Sequence, residues 1–468
     1  MKKKSQSFIK IGLIYILSNV IIKGMAFLTT PLFTRLMSQA EYGSFSSISS
    51  WASIISIITT FSLYSSISKA RYDYDEQINQ YMSTITVVGS AVTLAFWLVL
   101  ELNIGFWETT FDMNRIYIRS IMLYSLFTPV VQTLIAKYRM YNEYKPVIAL
   151  TWVTLLVTTF ASLGMTYFMT DKLTGRVLGS YAVIAVVDVV FWVYIIAKGR
   201  KVSWKMCKYA CVLSLPLLVH ELSGVLLNSS DRIIIDQLCG DTDVALYSIA
   251  YTIAMILTVI MSSVNQAWVP WFYDKLEIND IQSIKKVVPK YAAVFTAGCV
   301  GLMLIGPEMV LIFGGEAYLP AVSVIPPVCF SIALQFMYTL YVNVEFYLKK
   351  TVSISIATLG ATIINIVLNY LLIPKFGYVA AAYTTVIGFA FMLGFHYVVC
   401  RKTAYNNLFD LKAVLFNLAI CFVAMMLVLW LYKSNVLRLI VIGALALVIV
   451  ILVLLNRKKL LKGIKELL

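Results

Sequence analysis

About fourteen apolar stretches follow one another with little chain between them, each close to the ~20 residues a helix needs to cross the hydrocarbon core of a bilayer. They cover 8–33, 43–64, 81–100, 116–136, 147–169, 177–197 and 209–235, then 244–266, 287–313, 321–348, 352–373, 378–400, 413–431 and 437–455. With 60% hydrophobic and only 13% charged residues, the chain holds more apolar surface than a soluble domain could bury. Lipid offers no partner to a free backbone N–H or C=O, so each stretch is expected to be a helix, and all are too long for barrel strands. The predicted fold class is an all-α polytopic membrane protein.

Lysine and arginine placement orients these segments. With the N-terminus on the cytoplasmic side, 26 of the 38 basic residues fall in cytoplasmic pieces, seven in opposite loops (Arg35, Arg115, Lys172, Arg176, Lys375, Lys433 and Arg438) and five within or at the edges of segments. This positive-inside bias predicts that both termini are cytoplasmic. The net charge of +15 then reflects topology and contact with anionic membrane lipids rather than nucleic acid. Met1-Lys2-Lys3-Lys4 imitates the start of a signal peptide, but the following stretch is too long for one, so it is expected to remain as the first helix. The longest connection, about twenty residues around 266–286, leaves no room for an outer domain.

Chemistry-bearing motifs are few. The seven cysteines are scattered, and Cys207 and Cys211 have no histidine nearby, so no metal is expected. A glycine-rich phosphate cradle is absent. Asp73 and Asp75 read as solvated loop charges. The chain is therefore expected to be neither an enzyme nor a cofactor carrier.

The chain also repeats itself at an offset of 202 residues. Glu41-Tyr42-Gly43-Ser44-Phe45 matches Asp243-Val244-Ala245-Leu246-Tyr247, and Gly175-Arg176-Val177-Leu178-Gly179 matches Gly377-Tyr378-Val379-Ala380-Ala381 in the same register. Repeats of this kind give two similar bundles around a central site, which can open to either side of the membrane. The expected organisation is an N-terminal lobe of six helices (1–200), a C-terminal lobe of six (201–400), and two further helices with a basic tail (401–468).

Polar residues within apolar segments are the candidate site residues, because a charge at the bilayer centre costs about 2.5–3.5 kcal/mol on insertion scales and persists only with a partner or a wet cavity. Lys23 shares a helix face with Asn19, while Lys10 lies where snorkelling suffices. The seventh segment carries His220, Glu221, Asn228, Asp231 and Arg232. Glu221 and Arg232, eleven apart, project in similar directions; Asn228 and Arg232, four apart, share a face; Asp231 and Arg232 are adjacent and do not. Lys23, Arg119 and Arg232 are candidate cavity cations. Asp188, Glu345, Asp231, Glu221 and His220 are candidate ion-coupling or cavity groups, with interhelical pairing as the alternative. Prolines such as Pro129, Pro216 and Pro270 are expected to bend helices.

The stretch Asn365-Ile366-Val367-Leu368-Asn369-Tyr370-Leu371-Leu372-Ile373-Pro374-Lys375-Phe376-Gly377-Tyr378-Val379-Ala380-Ala381-Ala382 resembles a motif of bacterial polysaccharide and O-antigen flippases. These belong to the multidrug/oligosaccharidyl-lipid/polysaccharide exporter superfamily. Ala380 stands where that pattern has glycine. Thr34-Arg35-Leu36 through Gly43 resembles the family's first outer turn, and Asp231-Arg232-Ile233-Ile234 through Tyr247 its seventh helix and following turn. The resemblance spans nearly the whole chain. It implies two six-helix lobes around a cavity and a location in the bacterial inner membrane. The implied cargo is an undecaprenyl-pyrophosphate-linked oligosaccharide, flipped outward by alternating access, with H+ or Na+ as coupling ions and other polysaccharide-assembly proteins as partners. A drug/cation antiporter of the same superfamily and a membrane polysaccharide polymerase are the alternatives.

Overall fold

The computed structural model describes residues 24–25, 27–141 and 143–447. The described chain is helical throughout. Helix α1 (27–36) is followed by α2 (Gln39–Thr60), α3 (Ile67–Asp73), α4 (Ile78–Leu102), α5 (Ile104–Phe111), α6 (Arg115–Phe127), α7 (Pro129–Met140), α8 (Tyr144–Phe168), α9 (Lys172–Val177) and α10 (Val183–Gly199). The second half contains α11 (Trp204–Cys239), α12 (Asp241–Glu277), α13 (Ile281–Leu304), α14 (Gly306–Phe313), α15 (Ile325–Tyr347), α16 (Thr351–Phe376), α17 (Val379–Arg401) and α18 (Leu411–Leu431), then α19 (Asn435–Leu447).

Eleven helical spans among the described residues are long and apolar enough to cross a membrane, or twelve if the bent pair Gln39–Thr60 and Leu63–Asp73 counts as one. The expected segments at 8–33 and 437–455 run into residues outside the description, as do Lys23 and Asn19. Outward faces are apolar, as lipid requires: Val186, Val190 and Val193 of α10 are all more than half exposed. Helix α15 is instead buried along most of its length, packed against α12, α13, α17 and α18.

Local signals set the turns at the end predicted to face outward. Ser38 and Glu41 form a capping box: Ser38 N donates to Glu41 Oε2 (2.7 Å) and Glu41 N to Ser38 Oγ (3.2 Å). Asp171 caps α9 through Thr174 N at 3.0 Å. Gly175 and Gly179 let α9 and its continuation press on α8; a Cβ on Gly175 would lie 2.5 Å from Met165 O.

Two expectations are corrected. Residues 266–286 are not a loop: α12 runs on to Glu277, and only 278–280 separate it from α13. Trp268, Phe272 and Leu276 keep this extension helical by packing into the core of the second half. Asp73 and Asp75 are not merely solvated, since Tyr209 OH donates to Asp73 Oδ2 at 2.5 Å and Tyr141 OH to Asp75. The stretch from Arg115 to Met140 is one span but is divided at Thr128–Pro129, where proline supplies no backbone donor.

The second segment bends by 55° where α2 meets the chain leading to α3. Phe61 and Ser62 take left-handed φ values of 51° and 47° there, uncommon for residues other than glycine. Ser62 is fully buried, and its Oγ donates to Glu221 Oε2 of α11 at 2.5 Å.

Candidate functional site

Where α2 and α9 of the first half face α11 and α12 of the second, a cleft of about 270 Å³ opens. It is lined by Tyr42, Phe45, Ser46, Ser49, Ser50, Ser53, Arg176, Ser229, Arg232, Ser248 and Thr252. The α2 residues fall at intervals of three and four, on one helical face. Ser46 and Ser248 are equivalent in the 202-residue repeat, as are Ser50 and Thr252, so both repeats present hydroxyls to the same space. Among the described residues, no carboxylate lines it.

Hydroxyls here keep unused capacity. Ser46, Ser50 and Ser53 each donate to the carbonyl four residues back, at 2.9–3.0 Å, leaving oxygen lone pairs to accept from a ligand. Arg232 is braced on three sides: Nε donates to Ser248 Oγ (3.1 Å), Nη1 to Asn228 O (3.0 Å), and the guanidinium lies 4.8 Å from the Tyr251 ring centre. Tyr251 OH in turn donates to Asn228 Oδ1 at 3.2 Å. Asn228 and Arg232 therefore do share a face.

Arg176, which charge counting places among outer-loop residues, forms another wall. It is only 8% exposed, and its guanidinium is stacked between Phe33 (3.8 Å) and Phe45 (3.9 Å). The cleft thus presents two guanidiniums and many hydroxyls without an opposing anion. Such a lining can hold a phosphate-bearing, hydroxyl-rich group through charge-assisted and ordinary hydrogen bonds.

Asp231 turns away from its neighbour Arg232 and lies buried among α12, α16 and α17. Tyr247 OH (2.5 Å) and Thr385 Oγ1 (3.0 Å) donate to Oδ2, and Asn369 Nδ2 (2.6 Å) to Oδ1. Asn369 also donates to Asn365 Oδ1 at 3.2 Å. The paired asparagines of the sequence motif thus serve a buried carboxylate.

The other predicted residues lie apart from the cleft. Arg119 makes a two-pronged pair with Glu101 (2.8 and 2.9 Å), partly exposed, in the first half of α6. Asp188 is buried in α10 and accepts from Thr128 Oγ1 at 3.0 Å, while its Oδ1 has no hydrogen-bond partner among the described residues. Glu221 is held by Ser62 at the α2 bend, and the neighbouring His220 has an unpartnered Nδ1. Glu345 pairs with His396 (Oε1 to Nδ1, 2.6 Å), both fully buried, and accepts from Ser353 Oγ on its other oxygen.

Sequence reasoning missed Arg176 and His396. The first carried a usable signal, a charge between two glycines in a repeated motif. The second had none beyond the expectation that Glu345 needs a partner.

A family model described as polysaccharide biosynthesis protein matches residues 8–275, more than half of the chain. The chain belongs to this family. A protein of the Lsg locus of Haemophilus influenzae strain Rd is 23% identical over 392 residues, covering 76% of this chain and 89% of that protein. An uncharacterized membrane protein of the same strain is 21% identical over 416 residues, covering 86% and 99%. The fold is shared with the lipid II flippase MurJ in an inward closed conformation, with a TM-score of 0.63 and 14% identity over 94% of this chain and 99% of that one. It is also shared with an inward-facing multidrug resistance MATE family transporter of the MOP superfamily, with a TM-score of 0.59 and 12% identity over 89% and 99%. This family member is therefore a multi-pass membrane protein with a transporter and flippase fold.

Proposed function

We propose that the protein is a flippase that carries undecaprenyl-pyrophosphate-linked oligosaccharide from the inner to the outer leaflet of the bacterial cytoplasmic membrane. In this reading both termini are cytoplasmic, and two lobes (1–200 and 201–400) rock to expose the cleft to each side in turn. Residues 401–468 form an added element. A sugar hydroxyl taken into hydrocarbon without a partner costs roughly 4–8 kcal/mol on alkane scales, so a glycan of several sugars does not cross unaided. A hydrated path between the lobes would hide the head group while the isoprenoid tail stays in lipid.

The observation that carries the proposal is a cleft lined, among the described residues, by Arg176, Arg232 and repeat-related hydroxyls and by no carboxylate. Arginine matches phosphate bidentately, and serine and threonine oxygens suit sugars. The same lining disfavours the drug/cation antiporter reading, since two guanidiniums repel a cationic drug. Asp231, buried within reach of amide and hydroxyl oxygens, is the group proposed to couple the cycle to H+ or Na+. Other polysaccharide-assembly proteins are the proposed suppliers and users of the cargo.

Deleting the gene tests this. The lipid-linked intermediate should accumulate on the cytoplasmic face, and the surface polymer should disappear until the wild-type gene is restored. A normal leaflet distribution with intact polymer would overturn the assignment.

A further inference from the structure

We propose that Arg176 couples occupancy of the cleft by a pyrophosphate head group to release of the seal at the outward end. The proposal rests on the cargo reading above and adds the device by which the cargo is sensed.

Arg176 is a buried cation without an ion-pair partner among the described residues. Its guanidinium lies 3.8 Å from the Phe33 ring centre, 3.9 Å from Phe45 and 5.0 Å from Tyr42. Nη1 reaches the Met37 thioether at 3.4 Å, Tyr42 offers a side-chain hydrogen bond, and Nε has no hydrogen-bond partner among the described residues. A guanidinium carries five N–H donors, and a thioether is a weak acceptor. Aromatic faces attract the charge but use none of those donors well. The side chain is held, with most of its five donors unspent, at the wall of a cleft that also contains Arg232.

All four cage residues belong to the hairpin of α1 and α2, between 33 and 45. The same hairpin closes the outward end against the second half. Thr34 Oγ1 donates to Phe313 O (2.6 Å) and Gln39 Nε2 to Ala317 O (2.7 Å), while Tyr42 sets its ring edge-on to Tyr318 at 6.2 Å. The hairpin is therefore clamped between Arg176 and the chain at 313–318.

A ligand shifts a two-state equilibrium only by binding one state better than the other. In the sealed state the guanidinium faces are occupied by Phe33 and Phe45. When the guanidinium turns into the cleft, pyrophosphate can engage its fork with two parallel charge-assisted bonds. The cage then loses its cation, and the hairpin loses its attachment to α9. A neutral sugar cannot make this exchange, because hydroxyls do not repay removal of the charge from the aromatic faces. The seal would thus open for a pyrophosphate-linked cargo and stay closed for an uncharged polyprenol.

The test uses full-length protein in proteoliposomes, with Gln39→Cys and Ala317→Cys joined by a short bifunctional maleimide and the parent protein as background. Undecaprenyl pyrophosphate should lower the cross-linking yield roughly fivefold or more, and undecaprenol should not. Arg176→Met should abolish the response. Phe45→Leu, which keeps the arginine and weakens the cage, should shift the response to lower pyrophosphate-lipid concentration. Equal release with and without Arg176, or an unchanged midpoint in the Phe45 variant, overturns the coupling. Binding is followed separately by tryptophan fluorescence. Binding without any change in cross-linking sinks the coupling alone, whereas no binding of the pyrophosphate lipid sinks the cargo reading as well.

Discussion

Gly43 and Ala245 occupy the same position in the two repeats, 202 residues apart, and the repeats touch there: a Cβ built on Gly43 would stand 3.1 Å from Ala245 N. It would also fall 1.8 Å from Asp241 O. Helices α2 and α12 therefore meet backbone to backbone near their N-terminal ends. Below this contact, the paired hydroxyls of Ser46 with Ser248 and Ser50 with Thr252 enter the cleft.

Replacing Gly43 by alanine should pry this contact apart. The obstacle is a carbonyl, which cannot rotate aside as a side chain could. Overpacking of this kind costs about 1–3 kcal/mol or more. The expected outcome is a lower melting temperature in detergent and faster labelling of a thiol placed at position 39. Gly301→Ala, with nothing within 4 Å of the new methyl group, should behave as wild type.

Two arginines that look alike in sequence should separate in function. Arg232→Ala removes a cation from the cleft and should abolish surface polymer at normal protein levels. Arg119→Ala breaks a largely exposed pair with Glu101, and such pairs contribute about 0–1 kcal/mol. Polymer synthesis in that variant should stay within about twofold of wild type. Immunoblotting for the protein and quantification of surface glycan decide the matter, and loss of polymer in the Arg119 variant alone would reverse the assignment.

Asp231→Ala should be strongly destabilising. It leaves Tyr247 and Asn369 with buried donors unspent, each costing about 1–3 kcal/mol. Asp231→Asn keeps the shape and removes the charge. That variant should fold, with transport no longer responding to H+ or Na+ gradients. Glycan-lipid translocation in vesicles under imposed gradients provides the measurement, and an unchanged gradient response would remove Asp231 from the coupling role.

His396→Ala strands the fully buried Glu345, and losing one partner of a buried pair costs about 3–5 kcal/mol. The double variant with Glu345→Leu should recover part of that loss, since no charge is then buried. Thermal unfolding of the two single variants and the double variant gives the coupling energy. A loss in the double variant equal to the sum of the two single losses would mean the pair contributes nothing as a pair.

Much of the architecture was legible because membranes impose it locally. Each span's apolar run and the Ser38–Glu41 cap act within a few residues of themselves. The Asn365 and Asn369 motif was visible as well, at the spacing that places both side chains on one face. Its service to Asp231 was not, because Asp231 lies more than 130 residues earlier on another helix. The continuous helix through 266–277 was hidden for a similar reason: its polar residues suggested water, while Trp268 and Phe272 found their packing partners elsewhere in the second half.

The roles of the charges divide along the same line. Sequence alone determined that the chain spans a membrane repeatedly and carries a few charges whose burial demands an explanation. Tertiary structure decided which of them are spent. Arg119 meets a carboxylate brought beside it by α4, and Arg176 meets only aromatic rings from α1 and α2. Arg232 is turned into the cleft by Ser248 and Tyr251 of α12. A charge is neutralised by whatever stands within a few ångströms, and packing between distant segments determines what stands there.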